Sequence, residues 1–255
     1  MRCPLILVLG GTTEARALAE ALAAMPGIKA RLSLAGRTAD PRPQPLPVVS
    51  GGFGGAEGLA RYLAAERIDV LIDATHPFAA RMSENAAAAA AARGIPLIAL
   101  RRPEWRAEPG DRWTHVTGMA EAVTALGAAP RRVFLAIGRQ QAPAFEAAPQ
   151  HHYLLRSVDP VTLEVPSIDY LLDHGPFTLD GETELLLGHR IDVIVTKNSG
   201  GTATQAKLVA ARRLGLPVIM VARQAPPAGV AEVGTVEEAL ACLAHRLAGA
   251  EKRGV

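Results

Sequence analysis

The sequence contains few cysteines, few aromatic residues and no long hydrophobic run. Cys3 and Cys242 are far apart, so they provide neither a disulfide framework nor a C-x-x-C metal site. Aromatic residues make up only 4% of the chain, which leaves few side chains for stacking on nucleic-acid bases. No apolar run approaches the ~18 residues of a membrane-spanning helix, and no secretory signal pattern is found. These absences favour a protein of the reducing cytoplasm that binds neither nucleic acid nor a membrane.

Apolar residues make up 49% of the 255 residues, enough for one large core or two smaller ones. Lysine and arginine number 27 against 25 acidic residues, and the net charge of +2 gives no reason to expect a polyanionic partner. Short apolar runs alternate with helical segments, a pattern typical of parallel sheets covered by helices on both faces. We therefore predict an α/β protein with two Rossmann-like domains, each with a parallel sheet, and a ligand cleft between them.

The second half of the chain repeats features of the first. Ile68-Asp69-Val70 recurs as Ile191-Asp192-Val193, and Gly94-Ile95-Pro96 is echoed by Gly215-Leu216-Pro217. The two halves share the order strand, polar loop, helix, Gly-x-Pro and strand, which predicts a shared architecture. Common ancestry does not follow, because such patterns also recur by physics alone. Pro130 lies at the best candidate hinge, so the predicted domains are residues 1–130, which bind the cofactor, and 131–255, which bind the substrate.

The apolar run Leu5–Leu9 ends in the sequence Gly10-Gly11-Thr12-Thr13, and a helical pattern follows it. Such a run is typical of a strand buried on both faces of a parallel sheet. The glycines allow a sharp turn and close approach of a ligand, and either threonine can cap the helix. The helix N-terminus would offer N–H groups to a phosphate. A strand–turn–helix without a ligand stays an alternative, because the glycine spacing is not G-x-G-x-x-G.

Gly36-Arg37-Thr38 follows the second predicted strand, where a dinucleotide-binding fold meets the adenosine ribose. An acidic residue there binds a free 2′-hydroxyl, whereas an arginine accommodates a 2′-phosphate. Arg37 therefore favours NADP over NAD. The alternative is a solvated loop arginine.

Two further loops belong to the first half. Ser50–Gly55 places four glycines around Phe53, which indicates either close approach to a ligand or a flexible surface turn. Thr75–Ala79 follows the fourth predicted strand, where a nicotinamide would lie, and Pro77 suits the first turn of the next helix. His76 is interpreted as a capping or packing residue rather than an acid–base group, and a metal site is disfavoured because no second ligand lies at a suitable spacing.

Thr196–Thr202 follows a buried strand and precedes the helix that holds Lys207. Hydroxyls, backbone N–H groups and Lys197 at a helix start outline an anion-binding loop. The loop is not a Walker A motif, because its lysine precedes the glycines.

The motifs together resemble the precorrin-6A reductase family of cobalamin biosynthesis. The stretches that carry the resemblance lie in order along the whole chain: L-G-G-T-T-E-A-R (9–16), G-G-F-G-G (51–55), D-A-T-H-P-F-A (73–79), Gly138-Arg139 and K-N-S-G-G (197–201). The resemblance implies two Rossmann-like domains that hold a nicotinamide cofactor and a tetrapyrrole. The implied reaction is hydride transfer from NADPH to a carbon–carbon double bond of precorrin-6A, which gives precorrin-6B.

The predicted ligands are NADPH (NADP after transfer) and a small-molecule tetrapyrrole with many carboxylates. The predicted cofactor-binding residues are Gly10, Gly11, Thr12, Thr13, Glu14, Arg16, Gly36, Arg37, Thr38, Gly51, Gly52, Phe53, Thr75, His76, Pro77 and Phe78. The predicted substrate-binding residues are Arg139, Lys197, Asn198, Ser199, Gly200, Gly201, Thr202 and Lys207. No catalytic residue, proton donor or metal is assigned, and a monomer or weak homo-oligomer is expected.

Three alternatives stay open at this point. The first is the reductase of the cobalt-containing precorrin-6A, and the second is an NADP-dependent reductase of another anionic substrate. The third is a dinucleotide sensor without catalytic activity, whose second half would bind a partner.

Overall fold

The computed structural model describes residues 3–35 and 43–251, with side chains up to residue 249. In chain order the elements are β1 (Leu5–Leu9), α1 (Thr13–Ala23), β2 (Lys29–Leu34), β3 (Val48–Ser50), α2 (Gly55–Ala65), β4 (Val70–Asp73), α3 (Ala80–Arg93), β5 (Leu97–Leu100), β6 (Arg112–Val116), α4 (Met119–Leu126), β7 (Arg132–Ala136), β8 (His152–Ser157), β9 (Ile168–Leu172), α5 (Leu179–Gly188), β10 (Val193–Lys197), α6 (Ala206–Leu214), β11 (Pro217–Val221), β12 (Ala231–Val233) and α7 (Val236–Glu251). A 3₁₀ helix covers Ala142–Ala147. No helix in the described ranges is long and apolar enough to cross a membrane.

The described strands form two six-stranded parallel sheets. The first has the order β3-β2-β1-β4-β5-β12, and the second has the order β9-β8-β7-β10-β11-β6. The first sheet has the 3-2-1-4-5-6 order of a Rossmann fold, and five strands of the second repeat the 3-2-1-4-5 part of it, with β6, which precedes them in the chain, at the sixth place. The predicted fold class, with two Rossmann-like parallel sheets, is confirmed.

The chain divides into two compact units, residues 1–103 with 224–255 and residues 104–223. This division corrects the predicted boundary at residue 130. The edge strand β6 follows β5 along the chain but pairs with β11, and β12 follows β11 but pairs with β5. The two sheets have therefore exchanged their sixth strands. Local sequence predicts elements, whereas the choice of a partner strand depends on the whole sheet, so the boundary was placed too late.

The core of the first unit explains the continuous apolar run of β1. Ile6 and Val8 pack on one face of the sheet with residues of α1 and α7. Leu7 and Leu9 pack on the other face with residues of α2 and α3. Because successive side chains of a strand point to opposite faces, a strand covered on both sides must be apolar throughout.

The predicted repeat is visible in matching hydrogen bonds of the two units. Asp69 Oδ2 accepts a 2.7 Å bond from the N–H of Leu5, and Asp192 Oδ2 accepts a 2.7 Å bond from the N–H of Arg132. Gly94 and Gly215 end α3 and α6 in the left-handed conformation, at φ 63° and 67°. The two echoes noted in the sequence therefore occupy equivalent places, which confirms the shared architecture.

A buried ion pair lies in the second unit. Arg156 on β8 makes two hydrogen bonds to the carboxylate of Glu182 on α5, and the side chains are only 6% and 2% exposed. The guanidinium carbon of Arg156 lies 3.7 Å from the ring centre of Phe177. Both charges are thus removed from water, and each is compensated by the other.

Gly58→Ala is expected to lower the free energy of unfolding by about 1–3 kcal/mol, the usual cost of overpacking. A Cβ at Gly58 on α2 would lie 1.6 Å from the carbonyl oxygen of Phe53, and backbone cannot easily yield. A loss of stability would be unusual for a change from glycine to alanine, because glycine inside a helix normally destabilises it by about 0.5–1 kcal/mol relative to alanine. Urea unfolding measures the change.

Gly188→Ala is the matched control, because a Cβ built there on α5 meets no atom within 4 Å from the rest of the described chain, apart from its neighbours and its own helix backbone. The control should be neutral or stabilising by up to about 1 kcal/mol. If Gly58→Ala had the same free energy of unfolding as this control, the predicted steric clash with Phe53 would be contradicted.

Candidate functional site

The glycine turn after β1 places backbone close to the neighbouring strand. The N–H of Gly10 donates to the carbonyl of Ser33 on β2 at 2.9 Å. A Cβ at Gly10 would lie 2.6 Å from Cδ1 of Leu32, and Gly11 has φ 114°. A side chain at Gly10 would displace Leu32, and the positive φ of Gly11 favours glycine, as the sequence predicted for a sharp turn.

Thr12 caps α1 and also ties the turn to β4. Its Oγ1 accepts from the N–H of Ala15 at 3.0 Å and donates to the carbonyl of Ala74 at 2.9 Å. No acceptor within the described ranges is recorded for the N–H groups of Gly11 and Thr13 or of Thr12 itself. The turn thus presents three N–H groups at the positive end of a helix, the arrangement that binds phosphate in other proteins.

Glu14, in the first turn of α1, is paired with an arginine that sequence reasoning missed. Nη1 of Arg102, which follows β5, lies 2.9 Å from Oε2 of Glu14. Arg16 instead donates to the carbonyl of Pro43 at 2.7 Å and contacts Glu20 at 3.1 Å. Arg102 therefore offsets the charge of Glu14 near the turn. No local motif signals this pairing, since the two residues are 88 positions apart in the chain.

A buried carboxylate shapes the loop after β4. Asp73 is 3% exposed, and its Oδ1 accepts from both the N–H (3.1 Å) and Oγ1 (2.6 Å) of Thr75. Its Oδ2 accepts from Oγ of Ser83 on α3 at 2.5 Å and lies 3.8 Å from Nη2 of Arg101. Thr75 is thus held by Asp73. The supporting roles of Ser83 and Arg101 were not predicted.

His76 forms part of the turn that precedes α3. Its Nδ1 accepts from the N–H of Phe78 at 3.2 Å, and its carbonyl accepts from the N–H of Ala79 at 2.7 Å. A ring nitrogen that accepts carries no proton, so this contact belongs to the neutral imidazole. The geometry favours the packing and capping interpretation. Pro77 lies in this turn and not in the first turn of α3, which begins at Ala80, so that expectation is corrected.

The G-G-F-G-G loop follows β3. The N–H of Gly51 donates to the carbonyl of Leu34 at 3.0 Å, and Gly51, Gly54 and Gly55 all have positive φ. The ring of Phe53 packs on Tyr62, with 5.0 Å between centres. Phe53 is thereby held against α2. The predicted residues Gly36, Arg37 and Thr38 lie outside the described residues.

In the second unit, Lys197 ends β10 and Arg139 follows the adjacent strand β7. Nζ of Lys197 lies 3.3 Å from Oε1 of Gln141, and burial lowers the pKa of Lys197 to about 8. Nη1 of Arg139 lies 3.5 Å from Oδ2 of Asp159. Because β7 and β10 are parallel neighbours, the two cations lie at the same carboxyl edge of the sheet.

The loop after Lys197 contains two glycines in the left-handed region. Gly200 and Gly201 have φ 65° and 80°, and the N–H of Ser199 donates to the carbonyl of Lys197 at 2.7 Å. For the N–H groups of Gly200, Gly201 and Thr202, no acceptor is recorded in the part of the chain that the structure describes. Successive backbone N–H groups in a turn are the kind of donor that anion-binding concavities use in other proteins.

Two of the predicted substrate-binding residues, Asn198 and Lys207, use their side chains in hydrogen bonds within the protein. The side-chain amide of Asn198 binds the backbone of Trp105 through both its oxygen (2.9 Å) and its nitrogen (3.0 Å). Lys207 is 3% exposed and donates to the carbonyl of Thr204 at 2.7 Å. Trp105, in the segment before β6, was not predicted because nothing in its local sequence links it to residue 198. No group of three or more potential metal ligands occurs within the described ranges.

Comparison with known proteins gives one consistent family. The family model described as precorrin-6x reductase CbiJ/CobK matches residues 5–244. A precorrin-6A reductase of Sinorhizobium sp is 60% identical over 98% of this chain and 96% of its own length. A precorrin-6A reductase of Rhodobacter capsulatus is 54% identical, over 98% and 99% respectively.

A solved structure and a more distant relative extend the comparison. The structure, described as CobK precorrin-6A reductase, has a TM-score of 0.91 and 53% identity, and it covers 95% of this chain and 97% of its own. A cobalt-precorrin-6A reductase of Methanothermobacter thermautotrophicus is 28% identical over 86% of this chain and 76% of its own length.

Proposed function

The chain belongs to the precorrin-6x reductase family, and on this premise we propose that it reduces precorrin-6A to precorrin-6B with NADPH, in cobalamin biosynthesis. The observation that carries the proposal is 60% identity to a precorrin-6A reductase across nearly the full length of both chains. A reductase of this family calls for a nicotinamide cofactor; the choice of NADPH rests on Arg37.

The cofactor is proposed to bind at the carboxyl edge of the first sheet. The three N–H groups at Gly11–Thr13 fit a pyrophosphate, and the absence of a side chain at Gly10 and Gly11 lets the backbone approach it. NADPH, when bound, supplies the hydride. The Asp73–Thr75 hydrogen bonds fix the loop after the adjacent strand β4, where a nicotinamide would lie.

The substrate is proposed to bind the second unit through its carboxylates. Lys197, Arg139 and the N–H groups of residues 200–202 provide cations and donors at one sheet edge. Asn198 and Lys207 use their side chains inside the loop, so in this proposal they hold its shape. The protein's contribution to hydride transfer is then orientation of the two reacting carbons.

An anaerobic assay that follows NADPH absorbance tests the function. Precorrin-6A and its cobalt-containing counterpart are supplied separately, and turnover of precorrin-6A is expected to be faster. Faster turnover of the cobalt compound would favour the cobalt-precorrin-6A reductase, whose named relative is 28% identical. Binding of NADPH without oxidation by either tetrapyrrole would support the sensor and contradict the proposal.

Arg37→Ala is expected to raise the Kd of NADPH by about 10-fold to 150-fold, because hydrogen bonds to charged groups contribute about 1.5–3 kcal/mol. The Kd of NADH, which lacks the 2′-phosphate, should barely change. Fluorescence titration measures both constants.

Lys29→Ala is the matched control, because Lys29 is an exposed cation at the amino end of β2, the strand that leads toward Arg37. Equal losses for NADPH and NADH in Arg37→Ala would assign Arg37 a structural role and remove the reason for preferring NADPH.

A further inference from the structure

Trp105 is connected to the loop after β10 at three points. Its backbone N–H and carbonyl both bind the side-chain amide of Asn198, at 2.9 and 3.0 Å. Its indole Nε1 donates to the carbonyl of Gly201 at 2.9 Å. The residue is only 8% exposed, so water competes little for these bonds and each must be satisfied within the protein.

The indole bond determines where a neighbouring N–H group points. In a planar trans peptide the carbonyl of one residue and the N–H of the next point in opposite directions. Fixing the Gly201 carbonyl toward Trp105 therefore fixes the N–H of Thr202 away from it, and no acceptor for that N–H is recorded among the described residues. Gly201 at φ 80° has no side chain to restrict this peptide, so the restriction must come from outside the loop.

Two cationic side chains contact Trp105 and its partner Asn198. Nζ of Lys207 lies 4.9 Å from the centre of the Trp105 ring, which is within reach of a cation–π interaction. Nε of Arg223 donates to the carbonyl of Asn198 at 2.7 Å and lies 3.6 Å from Oε1 of Glu104. Trp105 is thus anchored by residues that are themselves anchored, as expected for a group that holds a binding loop in shape.

We propose that Trp105 is a positioning residue for the reduction: it holds the loop of residues 197–202 so that the Thr202 N–H faces a carboxylate of the tetrapyrrole. The proposal rests on the proposed function, in which this loop binds the substrate. Trp105 acts through the loop and does not touch the substrate. Its loss should therefore weaken substrate binding and leave the cofactor alone.

Trp105→Phe tests the proposal, because phenylalanine keeps an aromatic ring for Lys207 and removes the indole donor. Trp113→Phe is the matched control, since Trp113 is the other tryptophan of the chain and its Nε1 has no hydrogen-bond partner among the described residues. Trp105→Phe is expected to raise KM for precorrin-6A by about 3-fold to 10-fold, the effect of one neutral hydrogen bond. Its kcat and the Kd of NADPH should stay within about twofold, and Trp113→Phe should match the wild type.

Lys197→Ala, measured in parallel, shows separately whether the loop binds substrate and whether Trp105 positions it. If Lys197→Ala raises KM and Trp105→Phe does not, the loop binds substrate but Trp105 does not position it, which overturns this inference alone. If neither variant changes KM, the loop does not bind substrate, and the proposed substrate site is wrong as well.

Asn198→Ala removes the two hydrogen bonds between the Asn198 side chain and the backbone of Trp105. Like Trp105→Phe, it should raise KM for precorrin-6A. It serves as the second variant if Trp105→Phe fails to fold, as judged by circular dichroism. An Asn198→Ala protein that is folded and has an unchanged KM, beside a raised KM in Lys197→Ala, would overturn the inference.

Discussion

Lys197→Ala is expected to lower kcat/KM for precorrin-6A by about 30-fold to 5,000-fold, because truncating one partner of a poorly solvated charge pair costs about 2–5 kcal/mol. The ammonium group lies at the sheet edge, 3.3 Å from Oε1 of Gln141, and the residue is partly buried. Steady-state kinetics measures the loss. The Kd of NADPH should stay within about twofold, and Lys29→Ala gives the baseline for removing a remote lysine.

The same side chain predicts a pH dependence. Burial lowers the pKa of Lys197 from 10.5 to about 8, so the group loses its charge as the pH rises through 8. The substrate carboxylates stay ionised there, and KM for precorrin-6A is expected to rise above pH 8. In Lys197→Arg the charge persists, so this rise should be absent. A large loss of NADPH affinity with unchanged KM in Lys197→Ala would move the cofactor phosphates to this loop.

Protonation of Lys197 has the opposite effect on folding. Its folded-state pKa lies below the unfolded value, so the unfolded chain binds more protons between about pH 8 and 10.5. The free energy of unfolding contributed by this residue therefore rises with pH in that range, while substrate binding weakens. A rise with pH in both the free energy of unfolding and KM would separate a binding role of Lys197 from a structural one, because its charge favours substrate binding but disfavours folding.

Glu182→Ala is expected to lower the free energy of unfolding by about 3–5 kcal/mol, the usual cost of leaving one partner of a buried ion pair alone. Arg156 would keep its charge at 6% side-chain exposure with both of its hydrogen bonds to Glu182 removed. Urea unfolding of the whole chain measures the change.

Glu184→Ala removes an exposed carboxylate from the same helix and should change stability by no more than about 0.5 kcal/mol. Arg156→Met combined with Glu182→Leu should recover much of the loss, because replacing both charges by apolar groups removes the unpaired charge. A Glu182→Ala protein that unfolds at the same urea concentration as Glu184→Ala would contradict this account.

The fold could be predicted from the sequence wherever the signal is local. The apolar run Leu5–Leu9 required a strand covered on both faces, and the core on both sides of β1 confirms it. The Ile-Asp-Val repeat was recognisable because each aspartate makes the same bond at the start of a strand. Thr12 was one of two possible caps, and the bond from Ala15 identifies it.

The features that escaped prediction depend on residues far apart in the chain. β6 and β12 are short edge strands, and their partners follow from sheet assembly and not from their own sequences. Trp105 and Asn198 are 93 residues apart, and Arg102 and Glu14 are 88 apart. Each pair joins segments that are far apart in the chain, so periodicity and spacing carry no information about it. The loop at Lys197 was predicted, but the residues that shape it were not.

The exchanged sixth strands also set the order in which the sheets can be completed during translation. When the ribosome has made residue 223, every strand of the second sheet exists, whereas the first sheet still lacks β12. Roughly 130 residues separate the end of β5 at Leu100 from the start of β12 at Ala231, which corresponds to about 7–26 s at 5–20 residues per second. During that time the edge of β5 has no partner strand, although unpaired edges favour association with other chains. The unit synthesised first is therefore the one finished last.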